Sequence, residues 1–461
     1  MTIKKAPGSF RDPSGFVWEE EGKIYRTITE FYRPHWEKVE PFLKQMIKEN
    51  LIQPFEETTP FTGAWKTIEV KRLPFISYPY EWSYDQLKDA ALLTLKLQRK
   101  ALKKGLILKD ASVYNIQFDG AKPVFIDHLS FEVWQEGNPW GAYRQFCSHF
   151  LAPLALMSGV DLRCGLMMRL FIDGIPLDMA STMLPMKKKM NPGIHFHIVT
   201  HAKMQDKYSD TKKAEGKTKS VKITKDYLIN LTAQLERMIK DKAFQLPEVE
   251  TVWGNYYENT NYTEAAEEEK FKMVKELAQK FRGTGIAVDL GANNGRYTRA
   301  IAPFFQYALA VDMDPLAVNQ NYKMLKRDKE TNILPLLIDL SNPSPGIGFN
   351  NLERPEFKER CKGDFVIALA LIHHLRVTAG IPLSLIAEFF ASMINEGGVL
   401  VLEFVPKEDS QMEKLLAMRE DVFYDYSLEG CKEAFQPWFD CEEIRAIKES
   451  KRHILVLKKM K

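Results

Sequence analysis

Little in this 461-residue chain announces a class at once. Its five cysteines, Cys147, Cys164, Cys361, Cys431 and Cys441, are scattered and odd in number. None falls in a Cys-x-x-Cys pair, so neither a disulfide framework nor a zinc site is indicated, and reduced thiols are expected. A charge bias is missing too. Lys+Arg number 64 against 61 Asp+Glu, for a net charge of +3, which gives no electrostatic case for a nucleic-acid partner. The longest apolar run, near 150–160, is broken by Pro153 and is too short to span a bilayer. The opening MTIKKAPGSFRDP lacks the apolar centre of a secretory signal. A soluble, cytoplasmic protein is therefore expected. No internal repeat is found, and the polar, lysine-rich stretch from Asp206 to Ser220 reads as an exposed linker.

What is present is a 45% apolar chain, long enough for two or more domains. Residues 1–205 are mixed in pattern and rich in aromatics. Residues 206–262 read as the linker and a helical connection, in which Asp226 to Lys242 carries Leu228, Leu231, Leu235 and Met238 at helical spacing. The third region is 263–461. It opens with a helix from Thr263 to Phe281, capped by Thr263 with acids in its first turns. Beyond it short apolar runs alternate with helical segments: IAVDL, YALAVD, ILPLLID, DFVIALAL and, after a Gly397–Gly398 turn, GVLVLEF. This rhythm predicts an α/β domain with a parallel sheet covered on both faces. The tail departs from it. CEEIRAIKES and HILVLKK, joined by a tight Glu449–Arg452 turn, require antiparallel pairing.

The first strand runs into Asp289-Leu-Gly291-Ala-Asn293-Asn-Gly295. An open α/β sheet binds its ligand beyond the carboxyl ends of its strands, and glycines there let backbone approach ligand closely. The spacing is G-x-x-x-G, not the G-x-G-x-x-G of dinucleotide binders. Asp312 ends the second strand, where a carboxylate can accept from two ribose hydroxyls; Asp314 in the same turn is its alternative. Asp339 ends the third, where it can accept from an adenine amino group. As helix caps or turn residues these acids would need no ligand.

Together, Asp289-x-Gly291-x-x-x-Gly295, Asp312 and Asp339 resemble motifs I, II and III of class I S-adenosylmethionine-dependent methyltransferases, and the antiparallel tail resembles that family's final strand pair. The likeness covers about 175 residues. It implies a Rossmann-like seven-stranded sheet with an antiparallel last strand. S-adenosylmethionine would be held by Asp289, Gly291, Asn293, Gly295, Asp312 or Asp314, Asp339 and Ala370.

Strand four ends in Ala368-Leu-Ala370-Leu-Ile-His373-His374-Leu375, which is motif IV in that family. A histidine there can take a proton from an acceptor, because its ordinary pKa lies near neutrality, or it can simply pack against the acceptor. Glu403, ending strand five, is a candidate acceptor-pocket carboxylate or a loop carboxylate. Upstream, the aromatic stretch Trp253 to Thr263 fits a lid or a packed connection.

In the N-terminal region Asp110 and Asn115 lie five apart, and Asp127 ends a short strand after an Asp119-Gly120 turn. This resembles the catalytic loop and metal-binding Asp of protein-kinase-like and aminoglycoside-phosphotransferase-like folds, and implies an α+β domain. If active, Asp110 would be its base, with Asn115 and Asp127 as Mg²⁺ ligands for Mg-ATP. The departures point to a degenerate member. Leu108 stands where His is usual, His128-Leu129 follows Asp127, no Gly-rich loop or phosphate-binding Lys is evident, and about 80 residues are few for a complete small lobe.

The combined reading is methyl transfer from S-adenosylmethionine to an O or N nucleophile. The domain fusion and the Ile372-His373-His374-Leu375 form of motif IV resemble bacterial methyltransferases linked to nodulation factors and surface glycans, which favours a small-molecule or glycan acceptor. The alternatives are a bifunctional methyltransferase–phosphotransferase, and an RNA or protein methyltransferase whose N-terminal domain docks the substrate.

Overall fold

A computed structural model describes residues 4–202, 223–246, 263–417 and 420–460. The lysine-rich linker and all of the aromatic stretch except Thr263 lie outside the described residues. The chain forms two compact units. Unit 1 takes Met1–Phe118, Lys122–Val249 and Ile347–Arg354; unit 2 takes Asp119–Ala121, Glu250–Gly346 and Pro355–Lys461. No helix among the described residues is long and apolar enough to cross a membrane.

Unit 1 begins with strands β1 (Lys4–Lys5), β2 (Val17–Glu20) and β3 (Lys23–Ile28), helix α1 (Arg33–Lys48), then β4 (Phe55–Thr58) and β5 (Lys66–Val70). They make an antiparallel sheet in the order β1-β2-β3-β5-β4. Its strands are short and half exposed, so the alternation that marks a strand is faint. Helix α2 (Tyr84–Lys103) follows, entered through a capping box between Ser83 and Gln86, with a broad apolar face fully buried. Strands β6 (Leu106–Leu108), β7 (Ile116–Asp119), β8 (Lys122–Phe125) and β9 (Phe131–Val133) form two small ladders, β6-β9 and β7-β8. Helix α3 (Lys225–Lys240), read above as part of a connection, belongs to this unit, with Glu236 ion-paired to Arg99 of α2.

Unit 2 opens with α4 (Glu264–Lys280), capped by the Thr263 hydroxyl. Its strands are β10 (Ile286–Leu290), β11 (Tyr307–Asp312), β12 (Ile333–Leu337), β13 (Gly363–Ala368), β14 (Ile394–Phe404), β15 (Phe439–Ala446) and β16 (His453–Lys459). They make one sheet in the order β12-β11-β10-β13-β14-β16-β15. The first five are parallel, and β16 runs antiparallel to β14 and β15. Helices α5 (Arg296–Ile301), α6 (Pro315–Asp328) and α7 (Leu383–Ser392) fill three of the crossovers. One expectation needs correcting. Gly397–Gly398 is not a turn before strand five: β14 runs through it, with an irregular register and Gly397 at φ +73°. Val274 and Leu277 of α4 pack on Ala287, Ala310, Phe365, Ile367 and Val401 of the strands, which are continuous apolar runs because the sheet is buried.

The chain steps from β10 to β11 to β12 on one side, then returns to β13 on the other side of β10. That reversal opens a crevice at the carboxyl ends of β10 and β13, the place where such sheets take ligands.

Candidate active site

The turn after β10 is built from left-handed backbone: Gly291 at φ +83°, Asn293 at +49° and Gly295 at +81°. Asn tolerates this region better than most residues, and glycine does so freely. All five N–H groups from residue 291 to 295 donate within the protein. Gly291 and Ala292 give theirs to the Val311 carbonyl at 2.8 and 2.9 Å, and Gly295 to the Ala292 carbonyl at 2.8 Å. Asn293 gives its N–H to Asp312 Oδ2 at 2.7 Å, and Asn294 to Asn293 Oδ1 at 2.8 Å. A turn with its amides already engaged offers no cradle for a phosphate.

The acids occupy different situations. Asp289 is 2% exposed and accepts from Thr298 Oγ1 at 2.6 Å. Burial pushes its carboxyl up to about 7, with the charge of Asp312 adding to the effect. Asp312, partly exposed, accepts from Asn293 N and, through Oδ1, from Asp314 N at 2.8 Å. Burial raises it to about 6 against those bonds. Asp314 is engaged as a helix cap. It is buried, and its Oδ1 caps α6 through Leu316 N and Ala317 N, a geometry that the Asp-Pro start of that helix favours. Asp339 lies two residues beyond β12, with Oδ1 accepting from the amide and hydroxyl of Ser341 at 2.8 and 2.6 Å.

Across the crevice, Ala370 follows β13 at φ +48°, and the Leu369 carbonyl stands about 4.0 Å from where a Cβ on Gly291 would lie. His373 and His374 come next, their rings 4.1 Å apart. A base titrating near neutrality is not what these rings offer. Burial, the second ring and Arg452 push His373 well below its ordinary value, and burial with Arg452 lowers His374 to about 4. Both are uncharged at neutral pH.

Glu403 is not an acceptor-pocket carboxylate either. It is fully buried, receiving Lys270 Nζ at 2.8 Å, Arg452 Nη1 at 3.2 Å and the Ala370 N–H at 2.9 Å. Arg452 also forks onto Asp409 at 2.7 and 3.1 Å. Lys270 and Arg452 escape a reading of the sequence because they belong to no motif. One lies on α4, and the other at the end of the tail turn, far from Glu403 in sequence.

In unit 1, Asp110 accepts from Ser112 N at 2.9 Å and from Gln145 Nε2 at 2.7 Å, and burial with the neighbouring Asp127 raises its carboxyl. Asn115 donates to the Asp110 carbonyl at 3.3 Å and to Ser130 Oγ at 3.1 Å. Asp127 is engaged by the Arg26 guanidinium and the Ser130 hydroxyl, which hold it below its ordinary value against the opposing effect of burial. The counter-charge on the candidate metal ligand is thus an arginine. Lys109 donates to Ser14 Oγ at 2.9 Å, which ties the Gly8–Gly15 stretch to the Asp110 loop. Among the described residues no group of three or more acids, histidines or cysteines is arranged to hold a metal ion.

No family model matches the chain. Among solved structures it is similar to the N-methyltransferase NodS from Bradyrhizobium japonicum WM9, at 12% identity over 43% of this chain and 98% of that one, with a TM-score of 0.33. It is also similar to the magnesium protoporphyrin IX methyltransferase ChlM from Synechocystis PCC 6803, at 14% identity over 45% and 92% of the two chains and a TM-score of 0.32. Among curated proteins, the nodulation protein NoeA of Rhizobium meliloti (strain 1021) is 33% identical over 434 residues, which cover 92% of this chain and 90% of that one. With a third of the residues identical across both units, the chain belongs to the family of nodulation protein NoeA.

Proposed function

We propose that unit 2 binds S-adenosylmethionine at the carboxyl ends of β10–β13 and transfers its methyl group to an N or O nucleophile of a small-molecule or glycan acceptor. The observation that carries this reading is the pairing of a glycine turn whose amides are already engaged with two carboxyls, Asp289 and Asp312, raised towards neutrality by burial. Such a crevice rejects a pyrophosphate and favours a cation, which returns the carboxyls to their charged form. S-adenosylmethionine fits: it carries no phosphate, and it supplies an electrophilic methyl on a positively charged sulfur.

Asp312 then accepts from the ribose hydroxyls and Asp339 from the adenine amino group, while Gly291 and Gly295 let the ligand lie close to backbone. His373 and His374 stay uncharged, so they do not repel a sulfonium, and their nitrogens can orient an acceptor N–H or O–H. The chain's contribution is alignment and exclusion of water: the methyl–sulfur bond breaks as the bond to the acceptor forms, S-adenosylhomocysteine leaves, and the proton of the methylated acceptor passes to solvent, because the histidines are weak bases. The near-balance of 64 basic and 61 acidic residues speaks against an RNA acceptor. Calorimetric titration of S-adenosylmethionine into the full chain tests the reading. Binding that is lost in Asp312→Ala supports it; no binding by the wild type overturns it.

For unit 1 the reading is a kinase-like fold without phosphotransfer. Its support is the sheet order β1-β2-β3-β5-β4 with α1 between β3 and β4, the succession Asp110, Asn115, Asp127, and Arg26 as the partner of Asp127. Titration with Mg-ATP is expected to give no heat of binding. Saturable binding that disappears in Asp127→Ala would instead favour the bifunctional enzyme.

A further inference from the structure

Glu403 joins three elements on one carboxylate: Lys270 from α4, Arg452 from the turn before β16, and the backbone of Ala370 beyond β13. Two buried cations fix its position, and Asp409 fixes Arg452 in turn. Ala370 is the anomaly at the end of this chain of contacts. It is a residue with a Cβ held at φ +48°, a region that only glycine enters without cost. Strain of this kind persists where surrounding bonds over-determine it, and here the bond is the Ala370 N–H to Glu403 Oε2. Ala370 sits between Leu369, whose carbonyl faces the Gly291 turn, and the Leu371–His374 stretch with its two rings.

We infer that Glu403 is a positioning residue: by holding the Ala370 N–H it sets the strained bend that faces the Gly291 turn and shapes the cofactor crevice there, and Lys270 and Arg452 serve to hold Glu403. This rests on the methyltransferase reading of the crevice for its ligand, though not for its backbone geometry. The bond requires an oxygen acceptor at residue 403 and does not require a charge there. The charge is needed only because Lys270 and Arg452 are buried beside it.

Two charge-balanced variants separate these roles. Lys270→Met with Glu403→Gln removes one charge of each sign and keeps an acceptor for Ala370. Lys270→Met with Glu403→Leu removes the same charges and the acceptor. S-adenosylmethionine is titrated into both full-length proteins. The leucine variant is expected to bind about tenfold more weakly than the glutamine variant, a difference of about 1.4 kcal/mol, which is the scale on which a residue with a Cβ is disfavoured in the left-handed region. Adding Ala370→Gly to the leucine variant is expected to recover most of that loss, because glycine takes the bend unaided.

Equal affinities in the two variants, or no recovery with glycine, would overturn the inference. Thermal melting reads the same geometry without ligand: Ala370→Gly should raise the midpoint more in the glutamine background, where the acceptor still imposes the strained bend, than in the leucine one, where Ala370 can relax, and an equal effect in both overturns the clamp. If the wild type binds no S-adenosylmethionine, the functional proposal fails, and the melting comparison still decides the clamp.

Discussion

The substitution Asp289→Asn should stabilise the ligand-free protein at alkaline pH and not at acid pH. Asp289 is shielded from water, and Thr298 is its hydroxyl partner. Below about pH 4 the carboxyl is protonated in both the folded and the unfolded chain, so it contributes nothing. Between its ordinary 3.8 and the folded value of about 7, the unfolded chain gives up a proton that the folded chain keeps. Stability then falls by about 1.4 kcal/mol for each unit of rising pH and levels off once both forms are ionised. Over that window the loss approaches about 4 kcal/mol if the shift is taken at full value.

The side chain introduced by Asp289→Asn does not titrate, so the variant escapes this loss. It carries an amide that must find its own acceptor, which costs about 1–2 kcal/mol. The expected net gain is about 2 kcal/mol at pH 8, against a small deficit at about pH 4.5. At roughly 2–4 °C per kcal/mol for a unit of this size, the midpoint difference between variant and wild type should swing by about 6–15 °C between the two pH values. Scanning calorimetry of the full chain without ligand measures it. A midpoint difference that does not change with pH, or that favours the wild type at pH 8, would refute the account of Asp289 as a carboxyl held neutral by burial.

The other expectations are narrower. Binding of S-adenosylmethionine near pH 6.5 should release protons from the Asp289–Asp312 pair, so the observed heat should vary with the ionisation enthalpy of the buffer, and less so in Asp289→Asn. Gly295→Ala should destabilise unit 2 by about 2–4 kcal/mol in chemical denaturation, since the residue sits at φ +81° and a new Cβ would meet the buried Asn321 amide at 2.6 Å. Lys270→Met alone should cost about 3–5 kcal/mol, and much less when combined with Glu403→Leu; additive costs would mean that the ion pair is not the source. Arg26→Met should lower the stability of unit 1 by a comparable amount by stranding Asp127, with a smaller loss in Arg26→Met combined with Asp127→Asn.

The features open to sequence reading are the local ones. IAVDL, YALAVD and ILPLLID mark strands because a buried parallel sheet needs unbroken apolar runs, and Gly or an acid punctuates each end. The third strand stops at Leu337, which leaves Asp339 in a turn with Ser341. Asp312 and Asp314 look interchangeable on paper. Only coordinates show one joining the glycine turn and the other capping a helix, although the Pro315 that follows is a cue for the cap. Glu403 resists sequence reading because its meaning lies in partners brought from α4 and the tail turn, which no spacing records. For the histidines, the ordinary pKa of imidazole is a poor guide, since it holds in water and not for rings buried from it, with Arg452 beside them. In unit 1 the strands are short and half wet, so their period is lost among turn residues.

The short piece Ile347–Arg354 has a consequence in time. It lies between β12 and β13 in sequence yet is counted with unit 1, where buried Glu353 receives a forked pair of bonds from Arg11 at 3.0 and 2.9 Å. During synthesis the chain emerges from its N-terminus. Arg11 leaves the ribosome well before its partner, which follows after more than three hundred other residues, with β10, β11 and β12 between them. Unit 1 therefore reaches its final set of contacts only when three of the seven strands of the other sheet have been made, and neither unit can be produced whole from one uninterrupted stretch of the gene.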